Sequence, residues 1–329
     1  MPKTFGSKTY RFFALTFMVV VGMGYAQKEP QYTQYMYNIG SFNPGYVGSV
    51  ETPEISGLYR AQWVDIPGAP TTMRFGANVP LANERSGLGL NVVLDELGPS
   101  KQTYANVSYS YEISLSDITK LSFGMVAGGS FLSLDYSEGS FVDPSDPTIL
   151  GENYSNFYPT VGAGLFMYEE DWYLGLSVPN FLTEGLYNEE VATVVEGSWQ
   201  YHFIGGYVFQ IADRTKFKPA FLLNYLQGAP VTVNLSANFQ FIDALTVGAS
   251  YRFDNAISGL AGFQVSNSLF IGYSYDYNTN GLGDFTGGSH EAILKFYIGR
   301  EGNNRGPRTK NKDRKLKGKP KQIDSPRFF

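Results

Sequence analysis

The chain has 329 residues, a formal net charge of −5 and no Cys, and 16% of its residues are aromatic while only 17% are charged. Soluble enzymes usually carry charge on roughly a quarter of their residues, and the missing Cys excludes disulfides, thiol chemistry and a lipid anchor on cysteine. With 37 Gly residues and no long apolar run after the N-terminal stretch, the composition indicates many short strands and excludes helical membrane spans.

The first 26 residues have the three parts of a secretory signal. Basic residues precede an apolar core at 12–23, and Ala26 is a small residue directly before Gln27. The core is too short for a membrane span, which needs roughly 20 residues. We therefore expect cleavage between Ala26 and Gln27 and export of the mature chain.

Residues 27–52 form a second segment, which is rich in Tyr, Asn and Gln and poor in charge. It reads QKEPQYTQYMYNIGSFNPGYVGS from Gln27 to Ser49. The stretch has neither the period of a helix nor that of a strand, so it predicts no regular element.

Residues 53–299 contain about fourteen runs that alternate between apolar and polar residues, which is the period of a half-buried strand. Val231–Phe241 is the clearest, because its odd-numbered residues are all apolar and its even-numbered residues are all polar. The predicted strands lie at 54–64, 70–79, 86–95, 101–113, 119–135, 157–168, 171–179, 198–211, 215–227, 230–241, 244–253, 256–265, 268–276 and 289–299.

The connections between these runs alternate in length. Every even-numbered connection is short, whereas the odd-numbered set holds all three long loops, around 136–156, 180–197 and 277–288. Short turns at one end and long loops at the other are typical of an outer-membrane barrel. The sequence therefore predicts an all-β fold, a transmembrane antiparallel β-barrel of about 14 strands that contacts outer-membrane lipid.

A barrel in lipid turns its apolar stripe outward and its polar stripe inward. By parity, Arg60, Arg74 and Arg252 fall on interior faces. An Arg on the lipid face at mid-depth would cost about 2–4 kcal/mol.

Residues 300–329 form a basic tail with eleven Lys or Arg and three acidic residues, a net charge of +8. A block of like charge and low hydrophobicity is typical of disorder. With an even number of strands, the tail begins in the periplasm. It is there either a solvated extension or a docking tail for an acidic partner or the cell wall, while nucleic acid is a poor candidate for an exported protein.

The sequence predicts no catalytic, cofactor or metal site. His202 and His290 are the two His residues, and both lie in or at the start of predicted strands. Without Cys or a G-x-S-x-G motif, the usual acyl-transfer arrangements lack parts. A barrel-embedded hydrolase built on these His residues stays open as an alternative.

The segment before the first strand resembles the N-terminal signature of the PorP/SprF family, membrane components associated with type IX secretion. That family opens with Q-x-P-x-Y-x-Q-Y-M-x-N and continues with N-P-A-Y-A-G-S. Gly45 and Val47 replace its two alanines here, Leu58–Thr72 is similar to its Y-R-x-Q-W…G-A-P-x-T block, and His290–Gly299 to its closing H-E strand. The matching signature residues are Pro30, Tyr32, Gln34, Tyr35, Met36, Asn38, Asn43, Pro44, Tyr46, Gly48 and Ser49.

The resemblance implies a non-enzymatic outer-membrane protein without a cofactor, which assists secretion or surface attachment of type IX cargo. Its implied partners are other secretion components and a cargo such as a large gliding adhesin. A porin or transport barrel for small or hydrophobic solutes is the alternative.

The Tyr/Asn/Gln-rich segment has two interpretations. We expect it to start in the periplasm, directly before the first strand. Because its donors and acceptors suit a polar interior, one hypothesis is that it plugs or narrows the barrel and meets Arg60 and Arg74. The other is a periplasmic contact surface for secretion components.

Overall fold

The computed structural model describes residues 30–83, 85–135, 154–182, 199–226, 229–281 and 283–299. The chain divides into two compact units, Met1–Gln31 and Tyr32–Phe329, and every element below lies in the second. Within the described ranges, no helix combines the length and the apolar character needed to cross a membrane.

Strands dominate the fold, and their bounds follow the predicted runs closely. They are β1 (Glu54–Ala61), β2 (Thr71–Pro80), β3 (Ser86–Leu97), β4 (Ser100–Ser114), β5 (Lys120–Leu134), β6 (Tyr154–Tyr168), β7 (Trp172–Val178), β8 (Gln200–Tyr207), β9 (Phe209–Ala212), β10 (Thr215–Leu226), β11 (Thr232–Phe241), β12 (Leu245–Arg252), β13 (Ala256–Ser266), β14 (Leu269–Asn278) and β15 (Ser289–Tyr297).

All of these strands belong to one antiparallel sheet that closes on itself. β1 pairs with β15, and β10 pairs with β11 on one side and with both β8 and β9 on the other. Because Val208 alone separates β8 from β9, these two are halves of one barrel strand. The fold is a closed antiparallel barrel of 14 strands, which confirms the predicted fold class.

The interruption at Val208 lies opposite a proline. Lys218 and Pro219 of β10 have no register partner in β8 or β9. Pro219 has no N–H to contribute to the ladder. On the β7 side, the ladder continues, because the Val208 N–H donates to the carbonyl oxygen of Asp171 at 2.7 Å. The wall of the barrel is therefore irregular at this point.

The outer face of the barrel is apolar and the inner face is polar. In β11, Leu235 and Phe239 are 44% and 40% exposed, whereas Asn234 and Asn238 are 3% and 1% exposed. Successive strand residues point to opposite faces, so Leu, Phe and Tyr side chains cover the outside. This arrangement is the reverse of a water-soluble protein and is what a barrel surrounded by lipid requires.

The two ends of the barrel differ in their connections. At the turn end, the connections are all short, at 81–85, 115–119, 169–171, 213–214, 242–244 and 267–268. The loop end carries all the long ones, at 62–70, 135–153, 179–199 and 279–288. In outer-membrane barrels the short turns face the periplasm and the longer loops face outward.

Tyr32–Val50, called the inner segment from here on, folds into short helical turns. A 3-10 turn at Tyr35–Asn38, one α-helical turn at Ile39–Phe42 and a second 3-10 turn at Pro44–Tyr46 follow one another. Its aromatic and aliphatic side chains form one buried cluster with wall residues that include Leu58, Phe166, Tyr173, Ile204, Leu222 and Ile293. The centre of the barrel is therefore a packed apolar core, although most of the inner wall is polar.

Candidate functional site

The inner segment contacts strands on opposite sides of the barrel. Thr33 bonds to β15, Tyr35 bonds to β10 and Asn43 bonds to β6, while Gly48 lies against β3. Because the sheet is closed, a segment that touches these four strands from their inner faces lies inside it. The candidate site is this contact between the inner segment and the wall.

The inner segment runs from the loop end to the turn end. Thr33 contacts Asp276 and Glu291, which flank the 279–288 loop, whereas Gly48 meets Gly87 beside the turn at 81–85. The expectation that the segment starts on the periplasmic side is therefore wrong for its described part. A stretch without a period carries no signal for its direction.

A buried charge cluster holds the start of the inner segment. Arg60 on β1 lies 2.7 Å from Asp276 on β14 and 3.0 Å from Glu291 on β15. The Thr33 hydroxyl accepts from Arg60 at 3.1 Å and donates to Asp276 at 2.7 Å. The backbone N–H groups of Thr33 and Gln34 donate to the two carboxylate oxygens of Glu291 at 2.9 and 2.8 Å. These five residues are the Arg60 cluster.

A second guanidinium balances the charge of the Arg60 cluster. Arg252 Nη2 lies 3.5 Å from the Thr33 hydroxyl, and Arg252 Nε donates to Asn234 at 2.7 Å. Two guanidinium groups and two carboxylates thus share a buried site, where paired charges are tolerated and a single unpaired one is strongly destabilising. This geometry can anchor a polypeptide backbone.

The first half of the signature is buried against the wall. The Tyr35 hydroxyl lies 2.9 Å from the carbonyl oxygen of Ala220 and 3.0 Å from Ser236 Oγ. The hydroxyl thus connects the inner segment to β10 and β11. The other signature residues here are also buried, namely Tyr32, Gln34, Met36 and Asn38.

The second half of the signature fixes the inner segment near the turn end. Asn43 Oδ1 accepts from the Gly45 N–H at 2.8 Å and so caps the 3-10 turn that begins at Pro44. Asn43 Nδ2 donates to the carbonyl oxygen of Leu165 on β6 at 2.9 Å. Ser49 Oγ donates to the carbonyl oxygen of Tyr46 at 2.8 Å. One Asn side chain thus stabilises the turn and joins it to the wall.

Glycines bring the inner segment and the wall together backbone to backbone. A Cβ on Gly87 of β3 would collide with the backbone of Gly48. A Cβ on Gly124 of β5 would collide with the Pro44 carbonyl group and the Gly45 nitrogen. Glycine alone lacks a Cβ. The close backbone contacts therefore explain why Gly45 and Gly48 stand among the large residues of the signature.

Arg74 lies on the inner face as well, and two of its hydrogen bonds go to the wall. Its Nε donates to Asn91 at 2.7 Å and its Nη1 donates to Ser56 at 3.0 Å. The structure thus joins Arg60, but not Arg74, to Thr33 of the inner segment by a hydrogen bond. Through these two bonds, Arg74 links β2 to its neighbours β3 and β1, and it also interacts electrostatically with Tyr32 of the inner segment.

Sequence reasoning did not single out Asp276 and Glu291. Glu291 belongs to the closing H-E motif, and both residues lie on the interior stripes of their strands. Their position on these stripes could have predicted that both side chains face the interior. The pairing of Arg60 with Glu291, however, depends on the closure of β1 onto β15, which no single strand reveals.

The two histidines lie apart, on β8 and β15. His202 packs against Phe42 of the inner segment with ring centroids 5.5 Å apart, and His290 Nδ1 lies 2.6 Å from the Tyr273 hydroxyl. Among the residues that the structure describes, no three His, Asp or Glu side chains are placed to hold a metal ion.

Comparison with protein families decides where the chain belongs. The family described as type IX secretion system membrane protein PorP/SprF matches residues 24–296. The chain belongs to the PorP/SprF family. The match spans the inner segment and all but the end of the barrel, which confirms the resemblance carried by the signature.

Solved structures similar to this PorP/SprF protein are outer-membrane barrels and channels of low sequence identity. The CymD monoaromatic hydrocarbon channel is 12% identical, with 84% of this chain and 95% of that chain covered and a TM-score of 0.47. Omp33 of Acinetobacter baumannii is 11% identical, with 76% and 100% covered and a TM-score of 0.44. A FadL homologue of Pseudomonas aeruginosa is 14% identical, with 82% and 95% covered and a TM-score of 0.41. A search of curated proteins gave no match.

The PorP/SprF protein is an outer-membrane component of the type IX secretion system. The predicted signal segment with its cleavage between Ala26 and Gln27, the basic tail at 300–329 and most of the loops at 136–156 and 180–197 lie outside the described residues.

Proposed function

We propose that this PorP/SprF protein has no enzymatic activity and assists the secretion or cell-surface attachment of a type IX cargo protein, such as a gliding adhesin. The observation that carries the proposal is the occupied interior. The inner segment is buried and is bonded to strands on opposite sides of the barrel. A barrel filled in this way acts through its end surfaces rather than as a wide passage.

The loop end is the surface that we assign to cargo, because loops face outward in outer-membrane barrels. The sequence supports a recognition role for this end, since 136–156 and 180–197 contain acidic residues and no Lys or Arg. In the described part of the loop end, Phe285 is 75% exposed. Ile118 at the turn end is 68% exposed and offers a matched control.

Gene deletion tests the proposal. Proteins at the cell surface and in the medium are compared between the wild type and the deletion strain, with the full chain restored as control. A protein that moves from the surface to the medium, or is lost from both, identifies the cargo. If the same proteins reach the same places in both strains, the proposal is wrong.

A pair of variants then tests the loop end. Phe285→Asp should reduce co-purification of the cargo, while Ile118→Asp at the other end should leave it unchanged. Equal effects of the two variants would argue against docking at the loop end.

A porin or transport role is the second candidate, and the polar inner wall favours it. The described contacts that hold the inner segment are hydrogen bonds, some of them to charged groups, and packing, and both can be broken reversibly. Deleting Gln31–Asn38 removes Thr33 and Gln34, the two members of the Arg60 cluster that belong to the inner segment. Single-channel recordings that are closed in the wild type and open after deletion would support a plug, and a barrel that stays closed would count against it.

A further inference from the structure

Lys218 is a buried cation that lacks a hydrogen-bond partner within the described residues. It lies on the inner face of β10, is 1% exposed, and its Nζ makes no hydrogen bond there. A buried ammonium group without a hydrogen-bond acceptor is strongly unfavourable unless it loses its proton or binds an anion. An anion that accepts from Nζ would therefore be stabilised at Lys218.

The next Lys along the same face is already paired. Lys216 Nζ lies 2.6 Å from Asp243 in the turn at 242–244. Lys216 is partly exposed and is paired with its own carboxylate, so it needs no further partner. As a second cation, it cannot serve as a partner for Lys218. The two residues thus differ in surroundings although they share one strand.

Unpaired amide groups lie directly across the sheet from these lysines. Asn238 on β11 is opposite Lys218 and is 1% exposed, and neither its Oδ1 nor its Nδ2 has a partner in the described part of the chain. Gln240, opposite Lys216, has an unpartnered Oε1. Residues that face each other on one side of a sheet have Cβ atoms roughly 5 Å apart. Lys218 Nζ and the Asn238 amide are therefore close enough to hydrogen-bond to the same ligand.

The inner segment borders this patch. The Tyr35 hydroxyl lies 2.9 Å from the carbonyl oxygen of Ala220 and 3.0 Å from Ser236 Oγ, and these two residues follow Lys218 and precede Asn238 by two positions on β10 and β11. On the other side of Lys218, the strand ladder is broken at Val208. The patch therefore lies between the inner segment and an irregular part of the wall.

We propose that Lys218 and Asn238 form a binding site for a small oxyanion inside the barrel, in its turn-end half. An ammonium group and an amide N–H are the donors that phosphate or carboxylate oxygens accept, and charge-assisted hydrogen bonds of this kind are the strong ones. The bound anion neutralises Lys218 and ties β10 and β11 together beside the inner segment.

Thermal unfolding of the detergent-purified full chain tests the site, with inorganic phosphate as the probe and sodium chloride used to hold the ionic strength constant. A ligand that binds only the folded state raises the unfolding midpoint with its concentration. The midpoint should rise with phosphate in the wild type and in Lys216→Met, and it should stay constant in Lys218→Met. A wild type that does not respond, or that responds just as Lys218→Met does, overturns the proposal.

Direct binding covers the case in which Lys218→Met does not fold. Equilibrium dialysis with radiolabelled phosphate should show saturable binding to the wild type and to Lys216→Met. Asn238→Leu, which keeps Lys218, should weaken this binding by about tenfold or more, the loss expected for one hydrogen bond to a charged group. Absence of saturable binding to the wild type overturns the site.

Discussion

Arg60 Nη2 lies 2.7 Å from Asp276 Oδ2, although the strands that carry them, β1 and β14, are separated by β15. The guanidinium thus reaches across the seam where the first and last strands pair. On its way it contacts Glu291 of β15 and Thr33 of the inner segment. One side chain therefore joins three strands and the segment inside the barrel.

Arg60→Met should destabilise the barrel by about 3–5 kcal/mol, because it leaves two buried carboxylates with Arg252 as their remaining cation. Denaturant unfolding in detergent, followed by the mobility of unboiled samples on gels, measures the loss. Arg214→Met, at an exposed turn, is the control and should stay within about 0.5 kcal/mol of the wild type. A small effect of Arg60→Met would show that the cluster contributes little to stability.

Gly124→Val should displace the inner segment while the barrel stays closed. The new side chain has no room beside Pro44 and Gly45, and Val suits a strand. Limited proteolysis with mass mapping should reveal cuts within Tyr32–Val50. Gly57→Val is the matched control, because a Cβ at Gly57 meets nothing within 4 Å. Identical cleavage patterns for the two variants would contradict the backbone-to-backbone fit.

Asn43→Ala should lower the free energy of unfolding by about 1–3 kcal/mol. The change removes the cap on the Gly45 N–H and the hydrogen bond to Leu165 together. Denaturant unfolding in detergent gives the value, with Asn267→Ala in the exposed 267–268 turn as control. If both variants match the wild type, Asn43 does not hold the segment.

Single cysteines test the orientation of the barrel, since the chain has no Cys of its own. A membrane-impermeant maleimide applied to whole cells should label Gly281→Cys in the 279–288 loop. It should not label Asn267→Cys until the outer membrane is permeabilised. Labelling of Asn267→Cys alone on intact cells would reverse the assignment of the loop end to the outside.

The strands were predictable because alternation is a local property of the sequence. In β11, each residue's face follows from its neighbours, and lipid on one side makes the contrast between Leu235 and Asn234 sharp. The contacts of the inner segment were not predictable in the same way. Thr33 meets Arg60, Asp276 and Glu291 only after the sheet has closed, and a segment without a period gives no register from which to infer such contacts.

The helical turns of the inner segment show the same limit. Tyr35–Asn38 and Ile39–Phe42 are too short to produce a helical period in the sequence. Burial by the surrounding wall, rather than intrinsic propensity, stabilises them. The signature residues therefore indicated the family, but they did not predict the conformation of the inner segment.

The seam between β1 and β15 has a consequence for biogenesis. Arg60 comes from the first strand and Glu291 from the last, and the segment they hold precedes both in the chain. A nascent chain whose last strand has not been synthesised lacks Glu291, and therefore lacks half of this contact. The same residues thus complete the closure of the barrel and the binding of the inner segment. A chain that ends before Glu291 would lose both at once.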